Sequence, residues 1–193
     1  LIDVGMNKGR FSQEFLDRCP NCIIFGFEPI PELIKEAYNS FIESMFVKVF
    51  IYPFLLGSDF SSNSVIHKCQ KGLESSSVYK RDNFLGDPFL VPTLTLDFFS
   101  GVLPEKIDYL KLDVEGAELE VLKGSIEILA NKRIKFIQFE IGDDNGYIRS
   151  LQNVGEFLSQ YGYIIKNENL ETLKDFTRPY NIEVQNYLAE LEP

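Results

Sequence analysis

Apolar runs and amphipathic segments alternate along the chain, and that alternation predicts its elements. Leu1–Val4 reads as a strand stub, and Phe11, Phe15 and Leu16 mark one face of a first helix. Ile23–Phe27 is short and almost wholly apolar, as a parallel strand covered on both faces should be. Pro31 and Glu32 open a second helix, the proline by its fixed φ and the acid by favouring the positive helix end. Leu33, Ile34, Ala37, Tyr38 and Phe41 follow at helical spacing. Val47–Leu56 is expected as a third strand broken at Pro53, and Asn63–Lys68 as a hairpin partner. Residues 70–90 hold Gly72, three serines (Ser75, Ser76, Ser77), Gly86 and Pro88 with little periodicity. A loop that long inside a compact domain is usually functional or mobile, so this one is expected to border the acceptor of whatever chemistry the chain performs.

Alternation then resumes. Thr93–Leu96, Ile107–Leu112 and Ile134–Ile141 read as strands, and Ala117–Lys123 as a helix stopped by Gly124. Ile148, Leu151, Val154, Leu158 and Tyr161 form a further helix face closed by Gly162. Tyr163–Lys166 and Ile182–Leu188 are the last strands expected. Strands alternating with helices through right-handed crossovers give an α/β, doubly wound, mostly parallel sheet. Such a sheet binds ligands at the carboxyl ends of its strands, where strand order reverses. The 193 residues suit one domain spanning the chain, and an opening at Leu1-Ile2-Asp3, already inside a strand, suggests that the true N-terminus is missing.

Charge narrows the partners. Nineteen Lys and Arg against 29 Asp and Glu leave a net charge of −10, which disfavours nucleic acid. No apolar run approaches the ~20 residues of a membrane span and no signal-peptide pattern opens the chain, so a cytoplasmic protein without a membrane partner is expected. Three cysteines, an odd number, argue against a disulfide framework. Cys19 and Cys22 with His67 and Cys69 are four zinc ligands on paper, but their spacing matches no zinc module, and buried free cysteines are the plainer expectation.

The chemistry should lie at the strand ends. After the first strand, Gly5-Met6-Asn7-Lys8-Gly9 allows a tight turn before a helix N-terminus, suited to a carboxylate or phosphate. The spacing is G-x-x-x-G, without the third glycine of the dinucleotide fingerprint. Glu28 ends the second strand, 19 positions beyond Gly9, where an acid can take both hydroxyls of a ribose. Turn, helix and acid in register point to an adenosine-type ligand. Asp113, Glu115 and Glu118 follow the strand ending at Leu112, and Glu140, preceded by Gln138, closes the next. Lys111 and Asp113 interrupt an apolar run, and buried charges there need partners or a task.

These residues carry a family resemblance. Asp3-Val4-Gly5-Met6-Asn7-Lys8-Gly9-Arg10-Phe11-Ser12, Phe27-Glu28-Pro29, Thr95-Leu96-Asp97, Lys111-Leu112-Asp113-Val114-Glu115-Gly116-Ala117-Glu118, Leu122-Lys123-Gly124, Phe139-Glu140 and Asn186-Tyr187-Leu188-Ala189 resemble the FkbM family of S-adenosylmethionine-dependent methyltransferases. The resemblance implies a seven-stranded Rossmann-like sheet with the last strand antiparallel. It also implies methyl transfer to a hydroxyl of a sugar or natural product, the acceptor being a small molecule or glycan. On that reading Gly5, Asn7 and Gly9 hold the methionine end of the cofactor. Asp3 orients the turn or meets the amino group, Glu28 holds the ribose, and Asp113 stands beside them. Met6 departs from the alanine common at its position and would narrow the pocket. Asp113, Glu115 and Glu140 are the candidate catalytic bases, Asp113 first because it ends a central strand. Two of these carboxylates could instead share a divalent metal, although no diagnostic metal-ligand spacing is present. His67, the only histidine, is expected to be structural. The alternatives are a dinucleotide oxidoreductase and an inactive module that binds S-adenosylmethionine.

Overall fold

The computed structural model describes residues 1–43, 48–69, 72–79, 88–142, 151–176 and 185–192. In chain order it contains β1 (Ile2–Val4), α1 (Arg10–Arg18), β2 (Ile24–Phe27), α2 (Pro31–Glu43), β3 (Val49–Tyr52), β4 (Leu55–Leu56), β5 (Ser61–Cys69), β6 (Gly72–Ser77) and β7 (Phe89–Leu94). A 3₁₀ turn at Asp97–Phe99 leads to β8 (Ile107–Leu112), α3 (Glu118–Lys123), α4 (Ile126–Ala130), β9 (Ile134–Ile141), α5 (Leu151–Ser159), β10 (Tyr163–Lys166) and β11 (Gln185–Leu191).

Among these residues the main sheet has seven strands in the order β10-β11-β9-β8-β1-β2-β3. Neighbours among β9, β8, β1, β2 and β3 are parallel, and β11 runs antiparallel to both β9 and β10. This is the doubly wound sheet with a reversed last strand. Adjacent strand residues face opposite sides, so each strand feeds two cores. Ile137, Phe139 and Ile141 of β9 pack with Val121, Leu122, Ile128 and Leu129 of α3 and α4 and with Leu151, Val154 and Leu158 of α5. On the other face Ile24 and Ile51 pack with Leu16 of α1 and Ala37 and Phe41 of α2.

A second sheet, ordered β4-β7-β5-β6, departs from expectation. The chain does break at Pro53, and the piece beyond it, β4, leaves the main sheet to pair with β7. The 70–90 segment is not wholly a loop, since Gly72–Ser77 is a strand pairing antiparallel with β5. Its Gly-Leu-Glu-Ser-Ser-Ser sequence carries no hydrophobic alternation, because its place is set by backbone pairing. Residues 70–71 and 80–87, which include Phe84 and Gly86, lie outside the described residues. Helix α4 and the run of β11 on to Leu191 were not expected. Asp97 anchors α4, its carboxylate accepting the N–H groups of Glu127 at 2.8 Å and Ile128 at 3.0 Å.

The cysteine expectation is also corrected. Cys19, at the end of α1, and Cys22 form a disulfide across a separation of three residues. This commits both sulfurs and removes them from any zinc set. His67 sits on β5 opposite Ser77.

Candidate active site

The carboxyl ends of β1, β2, β8 and β9 converge as the parallel order requires. Gly5 and Gly9 both adopt left-handed backbone, with φ of 75° and 78°. At Gly5 this is forced by proximity as well as by torsion, because a Cβ there would lie 1.9 Å from the Asp113 carbonyl oxygen. The N–H groups of Gly5 and Met6 both donate to the Phe27 carbonyl at 3.0 Å, which pins the turn to the end of β2. Asn7 is left-handed too, as its residue type tolerates. Met6 lies on the wall of the larger cavity at these strand ends. It is buried, and its thioether fills the space over Gly26, where a Cβ would lie 2.2 Å from Sδ.

Glu28 is 4% exposed. Its two oxygens accept the N–H of Asn7 and the N–H of Ile30, each at 2.9 Å, tying the glycine turn to the entrance of α2. Burial raises its carboxyl to about 7, the Ile30 and Asn7 N–H groups lowering it and Asp3 and Asp113 raising it further. Beneath it Phe27 stacks on Tyr52 and meets Phe99 edge-on, with ring centroids 5.1 and 4.9 Å apart.

A chain of charges crosses from β1 to β8. Asp3 is wholly buried and accepts the Ser12 hydroxyl at 2.7 Å. Lys111, beside it in register, lies 3.5 Å from Asp3 Oδ1 and 3.0 Å from Asp113 Oδ2. Burial lowers the Lys111 ammonium, but Asp3 and Asp113 outweigh it, so the group is held above the ordinary lysine value and stays charged. Desolvation raises Asp3, with Lys111 and Ser12 opposing. The two charges that interrupt the apolar run of β8 are thus partners of one another. Asp3 faces this pair and α1 and lines neither cavity described below, so it supports the site from within the sheet.

Two cavities open at the strand ends. One, of about 310 Å³, is lined by Gly5, Asn7, Glu28, Asp113, Glu115 and Glu140 together with apolar walls. Those walls include Ile30 and Leu33 near the start of α2, Leu56 of β4, and Ile66 and Leu73 of the second sheet. The other, of about 670 Å³, lies on the α1 side and is lined by Arg10, Phe11, Lys111, Gln138 and Asn186 among others. Gly5, Asn7, Asp113 and Glu140 line both. Gly9 lines neither cavity. It begins α1 against Phe41, whose ring a Cβ would strike at 2.6 Å. Glu115 reaches only the first cavity, and its carbonyl accepts the Ser77 hydroxyl at 2.8 Å, which docks β6. Glu118 is buried and accepts the Gly116 N–H. His67 lines neither cavity. Among the described residues no group of three or more His, Cys, Asp or Glu is placed to hold a metal. The second-sheet walls escape sequence reading because they arrive by long-range pairing. Gln138 and Asn186 had a signal, as polar interruptions of apolar strands.

The methyltransferase FkbM domain matches residues 3–165 of this sequence. The chain belongs to the FkbM methyltransferase family. The match covers every strand end just described, and the resemblance read from the sequence holds. A curated relative, the 2-O-methyltransferase NoeI of Sinorhizobium fredii, is 28% identical over 159 residues, 76% of this chain and 65% of the relative's length. The chain therefore spans about 65% of that relative. Among solved structures, an FkbM methyltransferase from Methylobacillus flagellatus superposes with a TM-score of 0.62 at 12% identity, over 98% of this chain and 42% of that one. Magnesium protoporphyrin IX methyltransferase from Synechocystis, solved with bound S-adenosylmethionine, gives 0.54 at 12%, over 99% and 69%. At such identities these neighbours establish the Rossmann-like fold. Among the described residues no helix is long and apolar enough to cross a membrane.

Proposed function

We propose that this FkbM-family chain transfers the methyl group of S-adenosylmethionine to a hydroxyl of a sugar or natural-product acceptor. The observation that carries the reading is the left-handed glycine turn hydrogen-bonded to a buried acid, Glu28, on the wall of a cavity that also holds Asp113. The residues present fit the cofactor. Glu28 is an acceptor in reach of a ribose, Ile30, Leu33 and Leu56 offer an apolar slot for a base, and the carboxylates suit a sulfonium charge. The relative's name supports an oxygen acceptor.

When bound, S-adenosylmethionine supplies a methyl on a sulfonium sulfur: the oxygen–carbon bond forms as the carbon–sulfur bond breaks, its electron pair staying on sulfur. The chain's part is alignment and proton removal. Asp113 takes the hydroxyl proton. It is held by Lys111 on one side, its side chain is 39% exposed, and it lines both cavities. Glu140 shares that position on both walls, and Glu115 stands on the first cavity alone. A dinucleotide oxidoreductase would need the glycine fingerprint that this turn lacks.

Isothermal titration should show binding of S-adenosylmethionine and none of NADH. Asp113→Asn should keep the fold and cofactor affinity and lose about 10²–10⁴-fold in turnover, the usual worth of a general base. Full turnover in that variant would move the base to Glu140 or Glu115.

A further inference from the structure

The half of the main sheet facing the α1 side carries an unusual row of polar groups. Tyr109, Lys111, Gln138, Glu140 and Asn186 share that face, because each lies two residues from, or in register with, the next. Tyr109 donates its hydroxyl to Gln138 Oε1 at 2.7 Å, and Gln138 Nε2 donates to Asn186 Oδ1 at 2.9 Å. This relay fixes both carboxamides and leaves the second N–H of Gln138 and those of Asn186 to be donated elsewhere. Both residues line the 670 Å³ cavity, which Phe11 closes with an aromatic wall.

Charge on that wall is balanced. Lys8, Arg10 and Lys111 face Glu14, Asp113 and Glu140. Each cation already has a carboxylate: Lys8 has Glu36 at 3.1 Å, Arg10 has Glu14 at 3.2 Å and Lys111 has Asp113 at 3.0 Å. Among the described residues an anionic acceptor would find no uncompensated positive group there. A neutral polyol would find fixed amide donors and an apolar ring face.

We infer that the cavity on the α1 side is the acceptor site, that it takes a neutral polyhydroxylated ring, and that Gln138 and Asn186 select it by hydrogen-bonding its hydroxyls. This rests on the methyl-transfer reading. It assigns the Glu28 cavity to the cofactor and makes the four residues common to both walls the junction where the two ligands meet.

The test begins with titration of the whole chain with S-adenosylmethionine, since failure to bind it overturns the methyl-transfer reading itself. Binding of neutral methyl hexosides is then followed by saturation-transfer NMR, and labelled methyl transfer to them is compared with transfer to the matching hexose phosphates and uronic acids. Neutral glycosides should be preferred by about tenfold or more in kcat/KM. Gln138→Leu and Asn186→Leu should each raise acceptor KM about tenfold, the loss of one good hydrogen bond, with kcat and cofactor affinity nearly unchanged. Should a leucine variant fail to fold, Gln138→Glu and Asn186→Asp keep the shape, and they should weaken acceptor binding in the same direction. Preference for the anionic sugars overturns the inference, as does an unchanged acceptor KM. So does a loss of cofactor affinity in these variants, which would place the cavity with the methyl donor. Cofactor binding with neither binding nor transfer of neutral glycosides also overturns it and leaves the methyl-transfer reading standing.

Discussion

Glu28 has a structural part in the fold and, in the proposed function, a second part in holding the ribose. Its oxygens hold the glycine turn and α2 in place, and they lie on the wall where a ribose would bind. Glu28→Ala removes both functions, so affinity for S-adenosylmethionine should fall at least about tenfold by titration calorimetry. Its protonation also links to stability. The carboxyl ionises near 7 in the fold against an ordinary 4.5, so between those values the folded state binds the proton more readily than the unfolded chain. That contribution is complete below the lower value and lost as pH rises through the upper one. Denaturant titrations at pH 5 and pH 8 should therefore show lower stability at pH 8, by up to roughly 3 kcal/mol at about 1.4 kcal/mol per unit. Glu28→Gln should remove much of that difference. At Lys111 the issue is pairing. Lys111→Met leaves Asp3 wholly buried without its cation and should cost about 3–5 kcal/mol. The double variant Asp3→Asn/Lys111→Met should recover more than half of the loss, since it buries no lone charge.

At the level of elements, the tight approach of β1, β2 and β8 depends on missing side chains. Gly26 on β2 has no Cβ because Met6, from the turn after β1, fills that space. Gly26→Ala should destabilise the chain by about 1–3 kcal/mol through overpacking, and Met6→Ala in the same chain should relieve part of it, as melting of the two variants would show. A flexible thioether can give way, whereas at Gly5 the obstacle is the backbone of Asp113, so Gly5→Ala has no comparable rescue. Much of this was legible. The G-x-x-x-G turn, the acid at the end of β2 and the acid after β8 all read from sequence, because residue type and local spacing determine strand ends and left-handed turns. The disulfide of Cys19 and Cys22 was not, since an even count of cysteines is no requirement for one local bridge. Strand β6 was not either, because a serine-rich strand held by backbone pairing has no side-chain period to read.

On the scale of the molecule, the second sheet closes over the strand ends. Leu73, Ser76, Ser77 and Val78 lie on the wall that carries Glu28, on the carboxyl side of the main sheet. The segment expected to border the acceptor thus stands on the wall that the proposed arrangement gives to the cofactor. Amide hydrogen exchange at 72–79 should accordingly slow when S-adenosylmethionine alone is added; slowing only with acceptor present would return the segment to the acceptor's side. The sequence by itself determined the α/β class, the succession of the main strands and helices along the chain, the family, and the identity of the residues at four strand ends, because those follow from hydrophobic period and from motifs contiguous in the chain. Tertiary structure alone decided which face each polar residue joins. It set Asp3 inside the sheet and Asp113 at its rim, although both are aspartates near strand ends, because one lies in register with Lys111 under α1 and the other passes the end of β8. It also separated one wall from two, since Gln138 and Asn186 are 48 positions apart and meet only when β11 returns antiparallel beside β9. Contacts of that kind depend on strand pairing across the whole chain, which no local window of residues encodes.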